Sequence, residues 1–356
     1  MLTKFQAVLL VVVTIILALG GIAAVAAFLS HRGIAAVIGW LKARAVATPN
    51  HRSSHTVPTP QGGGIVVVPV TLVTSGVALW LIGSHVPGGP LYAALVGAAT
   101  LALTAVGFID DMRRVSIALR LVAQVLALAV VIGLMPSHLR VLPAPVPLVV
   151  ERILLIGAAL WFVNLFNFMD GIDLISVAET VAIALGLVVL TAFGLTPEWH
   201  GIVAAALAGA MLGFAPWNKP AARLFLGDAG SIPIGFLLAV LLIHMAAEGA
   251  LVAALILPLY YFADATITLI RRLLRGERVW EAHRQHFYQQ ATRNGFSVIA
   301  TVRRIAVLDA ALIALAVIAT LRGSAWAPLT ALVAAAAAVA WTLRTFARGR
   351  PLREKE

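Results

Sequence analysis

Apolar segments of about 20 residues recur along the whole chain and are separated by short polar stretches. A helix of about 20 residues crosses the hydrocarbon core of a bilayer. Of the 356 residues, 61% are hydrophobic and only 12% are charged, about half the charged fraction of an ordinary soluble domain. The segments lack the polar–apolar alternation of outer-membrane barrel strands. The sequence therefore predicts an all-α, polytopic membrane protein and excludes a soluble enzyme, a disordered chain and an outer-membrane barrel.

Eleven segments are candidates for transmembrane helices. They cover residues 5–30, 65–83, 90–108, 117–134, 149–165, 176–194, 200–216, 232–248, 250–270, 302–321 and 326–343. With the amino terminus outside, all but four of the 26 Lys and Arg residues fall on the cytosolic side; the exceptions are Lys4, Arg140, Arg152 and Arg322. This is the distribution that the positive-inside rule describes. We therefore expect the amino terminus outside and the carboxyl terminus in the cytosol, and the net charge of +11 needs no nucleic acid to explain it.

The chain is expected to form one membrane domain over residues 1–356, since no internal repeat or appended soluble region is visible. Residues 31–45 are expected to form a short amphipathic helix with basic ends, lying along the cytosolic interface. The absence of cysteine excludes a disulfide framework, a thiolate metal site and a thiol nucleophile. Chemistry is expected in the cytosolic loops, which cover residues 31–64, 109–116, 166–175, 217–231 and 271–301.

A carboxylate placed near the hydrocarbon of the bilayer is unfavourable by several kcal/mol, so its presence there indicates a functional role. Asp110 and Asp111 end the third span in the sequence GFIDD. On a helix, adjacent side chains point about 100° apart. One of the two is therefore expected to face a site, while the other orients a base or pairs with an arginine. The alternative is a plain helix terminus with its charges at the interface.

A second polar cluster is NLFNFMDGID at residues 164–173. Its Asn164, Asn167, Asp170 and Asp173 recur every three residues, so a continuous helix would carry them as one polar stripe. Two amides and two carboxylates suit a hard cation or a polar ligand. Gly171 is expected to end or distort the helix. The alternative is a capped helix end.

A third cluster, FLGDAGS at residues 225–231, enters the eighth span. Gly227 and Gly230 allow close backbone approach, and Ser231 is a natural helix N-cap. The amino end of a helix favours a phosphate, with Asp228 placed to hold its Mg²⁺. A Gly-Asp turn is also common before helices that bind nothing.

Two further loops are rich in histidine and arginine. The segment RRLLRGERVWEAHRQHFYQQ at 271–290 carries His283, Arg284 and His286, which are donors suited to an anionic diphosphate. The alternatives are a zinc site, which lacks an obvious third ligand, and a basic interfacial helix on lipid headgroups. The segment PNHRSSHTVPTPQGGG at 49–64 lacks the Gly-Lys-Ser/Thr of a P-loop. Its Arg52 and His55 are expected to join the same site, although the segment could be a plain connection.

Taken together and in this order, five motifs resemble the polyprenyl-phosphate N-acetylhexosamine-1-phosphate transferases, a family of glycosyltransferase family 4 type. The motifs are SSHTVPTPQGGG, GFIDD, NFMDGID, FLGDAGS and GERVWEAHRQH, and the resemblance covers about residues 46–290. They are most similar to the O-antigen-initiating branch. Three positions depart from the family pattern: Ala47 stands where Asp is common, Gln61 where Arg is common, and Leu174 at the final Gly of DGIDG.

The resemblance implies transfer of a sugar-1-phosphate, an N-acetylhexosamine or a deoxy derivative, from a UDP-sugar to undecaprenyl phosphate, with release of UMP. It implies a Mg²⁺ enzyme, with Mn²⁺ as substitute, at the cytosolic face of the bacterial inner membrane. The reaction would be the first membrane step of a cell-envelope polysaccharide such as the O-antigen of lipopolysaccharide. Expected partners are undecaprenyl phosphate, a UDP-N-acetylhexosamine, membrane lipid and, in a homodimer, a second copy of the chain.

The same resemblance assigns roles to individual residues. Asp228 and Asn167 match the metal-holding positions, and Asp110 and Asp111 match the acidic pair near the lipid phosphate, with Asp170 as a further catalytic group. The substrate-binding group is Asn164, Asp173, His55, His283, Arg284 and His286, of which His283, Arg284 and His286 match the loop that binds the donor diphosphate. An Asp could act as general base or form a covalent phospho-enzyme. The rival functions are a secondary transporter, which would need ionisable residues at the midplane and paired repeats, and a lipid-phosphate phosphatase.

Overall fold

Helices make up nearly all the regular structure of the chain. The computed structural model describes residues 4–47, 57–278, 283–321 and 324–349. The helices are α1 (Lys4–Arg44), α2 (Gly64–Ile82), α3 (Gly89–Met112), α4 (Ile117–Gly133), α5 (Leu148–Met169), α6 (Ile175–Ala192), α7 (Glu198–Asn218), α8 (Asp228–Met245), α9 (Leu251–Ile256), α10 (Leu259–Leu274), α11 (Phe287–Arg293), α12 (Val298–Thr320) and α13 (Ala327–Arg348). Two-residue strands β1 (Val46–Ala47) and β2 (Thr59–Pro60) pair antiparallel, with Val46 opposite Pro60. The predicted all-α class is confirmed.

Each of the eleven predicted spans coincides with helix, the ninth being divided into α9 and α10. Eight helical segments in the described ranges are long and apolar enough to cross a membrane. The helices α4 and α10 are shorter, with 17 and 16 residues, and α12 carries Arg303, Arg304 and Asp309. The protein is thus a multi-pass membrane protein, while the count of eleven crossings and the orientation stay predictions.

The first helix is longer than the sequence pattern predicted. α1 contains 41 residues and is about 60 Å long. The prediction of a separate interfacial helix at 31–45 is wrong, because residues 31–44 continue α1 without a break. Ile34 and Leu41 on this extension and Ser30 directly before it are fully buried. They recur at helical spacing, and α1 packs against α2 and α7. Tertiary packing therefore fixes this segment, and the first part of the predicted loop 31–64 is helical.

The helices α7 and α8 form the centre of the molecule. Nearly every side chain of α8 is buried, and most of α7 is buried as well. Close approach of α1 to α7 depends on Gly209 and Gly213, where a Cβ would overlap the carbonyl oxygens of Ala23 and Ala27. Small residues at helix contacts are the usual way in which membrane helices pack tightly. The central position of α8 fixes where its amino end, with Asp228, can lie.

The chain turns sharply after α8 through a π-helical turn at Ala246–Ala250. Gly249 lies in this turn with φ of 102°, a conformation that glycine adopts without steric cost. The turn falls between the predicted spans 232–248 and 250–270, so that boundary is confirmed.

Candidate active site

Three helix ends meet at one place: the carboxyl end of α3 and the amino ends of α4 and α8. Asp110 in the last turn of α3 accepts the N–H of Val115 through Oδ1 at 2.6 Å, and this bond shapes the turn into α4. Ser116 then caps α4 by accepting the N–H of Leu119 at 3.2 Å. The carboxylate of Asp110 is thereby held at the mouth of the helix bundle.

Arg120 joins the acidic residues of α3 and α8. Its Nη1 donates to Oδ2 of Asp110 at 2.9 Å and to Oδ2 of Asp228 at 2.6 Å. The two carboxylates are 118 positions apart in the sequence, yet one guanidinium nitrogen holds both. Charge-assisted bonds of this kind are about twice as strong as neutral ones. Arg120 was absent from the predicted site residues, and the signal for it was a single arginine in the otherwise apolar first turns of α4.

Asp111 points to the amino end of α8. Its Oδ1 accepts the N–H of Asp228 at 3.0 Å, and its Oδ2 accepts the N–H of Ala229 at 3.1 Å. A carboxylate on the first amides of a helix satisfies unpaired donors and interacts favourably with the helix dipole. The predicted pairing of one of the two aspartates with an arginine is confirmed for Asp110. Asp111 positions α8, whereas Asp110 pairs with Arg120.

Glycines let the backbone of α8 approach its neighbours at this point. A Cβ at Gly64 of α2 would overlap the backbone of Ala229, and one at Gly107 of α3 would overlap the carbonyl oxygen of Asp228. Gly227 has φ of 74°, and a Cβ there would overlap the carboxylate of Asp111. The predicted close approach at the FLGDAGS segment is confirmed, since the backbone of Gly227 lies against the Asp111 carboxylate and that of Gly230 against Gly64. The prediction of Ser231 as the helix N-cap is wrong, because α8 already begins at Asp228.

The triple-glycine segment packs onto the same end of α8. The N–H groups of Gly63 and Gly64 donate to the carbonyl oxygens of Phe225 and Leu226, both at 3.0 Å. Gln61, which stands where the family often has Arg, donates from Nε2 to the carbonyl oxygen of Asp111 at 2.8 Å. The glycine loop and Gln61 therefore support the acidic residues directly.

The four polar residues of the second cluster have separate partners. Asn164 donates to Oε1 of Gln124 on α4 at 2.8 Å. Asn167 accepts the hydroxyl of Ser231 through Oδ1 at 2.6 Å, which places it one helical turn along α8 from Asp228. The prediction of one continuous polar stripe is therefore wrong beyond Asn167, because α5 ends at Met169. The helix ends two residues before Gly171.

The end of α5 leads into a tight turn that carries the other two carboxylates. Asp170 accepts the hydroxyl of Ser176 at 2.6 Å, and Asp173 accepts the N–H of Ala222 at 3.1 Å. Burial, with a smaller contribution from Asp173, raises the pKa of Asp170 to about 6. Asp173 thus connects this turn to the segment before α8.

Leu174 adopts the left-handed conformation, with φ of 66°. Its N–H donates to Oδ1 of Asn218 at 2.8 Å, which fixes the turn against the end of α7. Glycine adopts this conformation without cost, whereas a branched side chain pays roughly 1–2 kcal/mol. This conformation is the physical reason for glycine at this position of the DGIDG motif, and here leucine bears the strain.

The histidine loop is held by Asp264, a buried residue of α10 that the sequence analysis did not single out. Asp264 accepts the N–H groups of Phe287 and Tyr288 at 2.9 and 3.1 Å, and its Oδ1 lies 3.2 Å from Nδ1 of His286. The rings of His283 and His286 are 4.7 Å apart. Asp264 was missed because a lone carboxylate inside the apolar sequence LYYFADATITL has no motif around it.

This loop also contacts the turn after α5. The hydroxyl of Tyr288 donates to the carbonyl oxygen of Phe168 at 3.3 Å, and a Cβ at Gly171 would overlap that hydroxyl. Burial, followed by His286 and Arg272, lowers the pKa of His283 to about 4. His283 is therefore neutral at pH 7 and offers a ring N–H or a lone pair rather than a charge.

Two predicted site residues are not joined to this group. Arg284 lines a separate cavity with Arg271, Arg275 and Arg293, described below. His55, like Arg52, lies outside the described residues.

The carboxylates fit a divalent cation of the Mg²⁺ type. Arg120 already places one positive group between Asp110 and Asp228, which shows that the two carboxylates share the space where a cation is stabilised. Asn167 adds an amide oxygen nearby, through Ser231. In the described ranges, no group of three or more His, Cys, Asp or Glu side chains forms a metal cage. Mg²⁺ needs none, since it keeps waters and substrate phosphates and takes only one or two carboxylates.

Comparison with known proteins shows which family the chain resembles. The family model described as Glycosyl transferase family 4 matches residues 93–246, from α3 to the end of α8. Decaprenyl-phosphate N-acetylglucosaminephosphotransferase of Mycobacterium leprae (strain TN) is 26% identical over 292 residues, which are 71% of this chain and 71% of the relative. The relative of the same name in Mycobacterium tuberculosis (strain ATCC 25618 / H37Rv) is 28% identical, over 71% of this chain and 70% of the relative. Phospho-N-acetylmuramoyl-pentapeptide-transferase of Mycobacterium sp. (strain KMS) is 28% identical, over 62% of this chain and 73% of the relative.

The chain is similar to the polyprenyl-phosphate sugar-1-phosphate transferases, and both the family model and these relatives support that family. It is therefore a transferase, and the reaction common to these relatives is transfer of a sugar-1-phosphate to a polyprenyl phosphate. The matched residues 93–246 contain Asp110, Asp111, Arg120, Asn167 and Asp228. The family match thus covers the three helix ends of the acidic site, and the histidine loop lies beyond it.

Proposed function

We propose that this transferase moves an N-acetylhexosamine 1-phosphate from its UDP-sugar to undecaprenyl phosphate and releases UMP. The reaction occurs at the cytosolic face of the bacterial inner membrane and begins a cell-envelope polysaccharide. The observation that carries the proposal is the bridge from Arg120 to Asp110 and Asp228 at the capped amino end of α8. The relatives are named for N-acetylglucosamine and N-acetylmuramoyl substrates, which supports an N-acetylhexosamine.

The acceptor needs little activation. A phosphate monoester has its second pKa near ~6, so a polyprenyl phosphate is largely dianionic at neutral pH. One of its oxygens attacks the phosphorus that carries the sugar, the bond from that phosphorus to the UMP oxygen breaks, and UMP leaves with the bond's electron pair. No proton has to move before the attack. The main barrier is the approach of two anions.

Asp228 and Asn167 are proposed to hold Mg²⁺, with Mn²⁺ as substitute. When bound, the metal neutralises phosphate charge. Arg120 is the positive group already present at Asp110 and Asp228 and contributes in the same way. Asp111 acts as a positioning residue, because both its carboxylate oxygens are used by backbone amides of α8.

Donor recognition is assigned to the loops around the acidic site. His283 and His286 lie on the loop that Tyr288 ties to the end of α5, and His283 binds phosphate oxygen as a neutral donor. Asn164 and Asp173 frame the same region from α5 and from the turn after it. The roles of Asp170 and His55, and the homodimer, stay predictions.

The test is UMP release by purified protein in detergent. The reaction contains Mg²⁺, undecaprenyl or decaprenyl phosphate, and a panel of UDP-N-acetylhexosamines. We expect UMP release that requires the lipid and prefers one sugar. Asp228→Asn should lower kcat about a hundredfold or more, since several kcal/mol of charge stabilisation are lost. Glu198→Gln, at an exposed carboxylate far from the site in sequence, should leave the rate unchanged.

Other outcomes would contradict the proposal. Release of inorganic phosphate from the lipid without nucleotide sugar would indicate a phosphatase. Uptake of a solute into proteoliposomes, without UMP release, would indicate a transporter. Exchange of labelled UMP into UDP-sugar without any lipid would replace direct attack with a covalent phospho-enzyme.

A further inference from the structure

Four arginine side chains line one cavity beside α10. Arg271 comes from α10, Arg275 directly follows that helix, Arg284 comes from the loop before α11, and Arg293 from the end of α11. The cavity has a volume of about 540 Å³. Gln290, Asn294 and Ala347 of α13 also line it, and no carboxylate lines it among the described residues. We call this space the arginine cavity.

Arg271 lies on the side of α10 that faces away from Trp161 of α5. Thr266 marks the side toward α5, because Nε1 of Trp161 donates to its hydroxyl at 3.1 Å. At 100° per residue, Thr268 and Arg271, which both line the cavity, point roughly 160° and 140° away from Thr266. The cavity adjoins the histidine loop through Arg284, but in the described ranges no residue that lines it shares a hydrogen bond or ion pair with Asp110, Asp228 or Arg120. The cavity is therefore separate from the acidic site.

The positive charge of the cavity is balanced only weakly by the residues that the structure describes. Arg275 lies 4.0 Å from Glu277, whose carboxylate already accepts a shorter bond of 2.9 Å from Arg272. Nε of Arg284 is buried without a hydrogen-bond partner in the described ranges. Arg271 stacks on the ring of Phe287 at 4.9 Å, which leaves the in-plane N–H groups of its guanidinium for an acceptor. Converging guanidinium groups repel one another unless an anion lies between them.

Exposed apolar residues place the cavity at the level of the membrane surface. In the last turn of α10, Leu273 and Leu274 are 62% and 82% exposed, as expected for side chains in contact with acyl chains. Trp341 is 66% exposed and lies about two helical turns before the end of α13 that lines the cavity. Exposed tryptophans are typical of the membrane–water interface. The arginine side chains are thus at the depth of lipid headgroups.

We propose that the arginine cavity binds the phosphate of an anionic membrane phospholipid. Guanidinium groups recognise phosphate oxygens through paired, charge-assisted hydrogen bonds. Basic pockets between membrane helices at the cytoplasmic surface are known binding sites for anionic headgroups. The lipid would join α10, α11 and α13. This inference is independent of the donor sugar and of the proposed reaction.

The test compares phospholipid binding to two variants that lose the same charge. In the first, Arg271, Arg275 and Arg293 are changed to Gln. In the second, which is the control, Arg32, Arg303 and Arg344 are changed to Gln; all three are exposed and outside the cavity. Native mass spectrometry measures retention of phosphatidylglycerol and of phosphatidylcholine by each purified protein. Competition with inorganic phosphate and with UDP separates a lipid site from a site for free phosphate or a nucleotide diphosphate.

We expect the wild type to retain phosphatidylglycerol in preference to phosphatidylcholine. The cavity variant should bind phosphatidylglycerol at least tenfold more weakly, and the control variant within about twofold of the wild type. If the triple variant does not fold, Arg275→Gln and Arg293→Gln are tested singly, since both side chains are exposed. Equal loss in the cavity and control variants would overturn the proposal in favour of general surface charge. Displacement of the lipid by micromolar UDP would overturn the lipid proposal in favour of binding of the donor diphosphate, the role predicted for Arg284. Displacement by inorganic phosphate alone would also overturn it, because the cavity would then be an anion site without lipid preference.

Discussion

Arg120 joins two separate sequence motifs into one site. Asp110 lies in GFIDD and Asp228 in FLGDAGS, and each alone could be a solvated helix end. The single Nη1 atom of Arg120 binds both, so neither carboxylate is free to move independently. This pairing could not be predicted from sequence, because it depends on α4 and α8 lying side by side. Asp264 illustrates the same limit, since its role appears only where the amino end of α11 lies against it.

Asp170 provides a test by pH. Its pKa of about 6 lies above the ordinary value of 3.8, so the folded protein binds this proton more tightly than the unfolded chain does. The stability that Asp170 contributes is thus present below pH 4 and is lost as the pH rises to about 6. Asp170→Asn removes this titration. We expect its stability relative to the wild type to increase between pH 4 and pH 7 by about 1–2 kcal/mol, measured as thermal unfolding in detergent.

A neighbouring variant serves as the control for Asp170. The hydroxyl of Ser176 stabilises the ionised carboxylate, so Ser176→Ala should destabilise the protein more at pH 7 than at pH 4. A stability difference for Asp170→Asn that stays constant across this pH range would contradict the raised pKa.

At the level of helices, the site depends on how closely α2, α3 and α8 approach one another. A Cβ at Gly107 would overlap the carbonyl oxygen of Asp228, so this glycine allows α3 to bring Asp111 onto the amides of α8. The sequence indicated glycine-assisted approach at Gly227 but not at Gly107, since a glycine inside an apolar helix has no visible partner. The individual helices could thus be predicted from the sequence, whereas the contacts between helices could not.

Two alanine substitutions in α3 test this contact. Gly107→Ala should displace the amino end of α8, lower stability by about 1–3 kcal/mol and reduce transferase activity at least tenfold. Gly97→Ala is the matched control on the same helix, because no described atom lies within 4 Å of its Cβ position. It should keep full activity and gain slightly in stability from helix propensity. Activity measured as UMP release, together with thermal unfolding, gives both readouts. Equal effects of the two substitutions would show that the contact with Asp228 does not matter.

For the whole molecule, the distribution of Lys and Arg predicts which ends of the helices face the cytosol. The chain has no cysteine, so single cysteines can be introduced without background labelling. Ser137→Cys lies between α4 and α5, and Lys219→Cys lies directly after α7. We expect a membrane-impermeant maleimide to label Ser137→Cys in intact spheroplasts, and Lys219→Cys only after permeabilisation. The reverse pattern would overturn the predicted orientation and place the acidic site outside the cell.

Packing between helices that are distant in sequence also brings ionisable side chains together inside the helix bundle. Glu179 of α6 and Asp309 of α12 are 130 positions apart in sequence, and both are buried without a hydrogen-bond partner among the described residues. Their helices pack against each other, and the two carboxyl groups interact electrostatically. Neither residue belongs to a motif, and their proximity is visible only in the folded chain.

The amino-acid sequence was enough to predict the all-α membrane class, the positions of the apolar helices, the family resemblance and most of the acidic residues of the candidate site. These properties are local or periodic: helix-forming apolar length, charge asymmetry between loops, and short motifs. The tertiary structure decided the continuity of α1, the strained turn at Leu174, the bridging role of Arg120 and the separation of the arginine cavity from the acidic site. Each of these depends on which surfaces of distant helices meet, and that is set by the shape of packed side chains and by glycines that let backbones approach, not by the local pattern of residues.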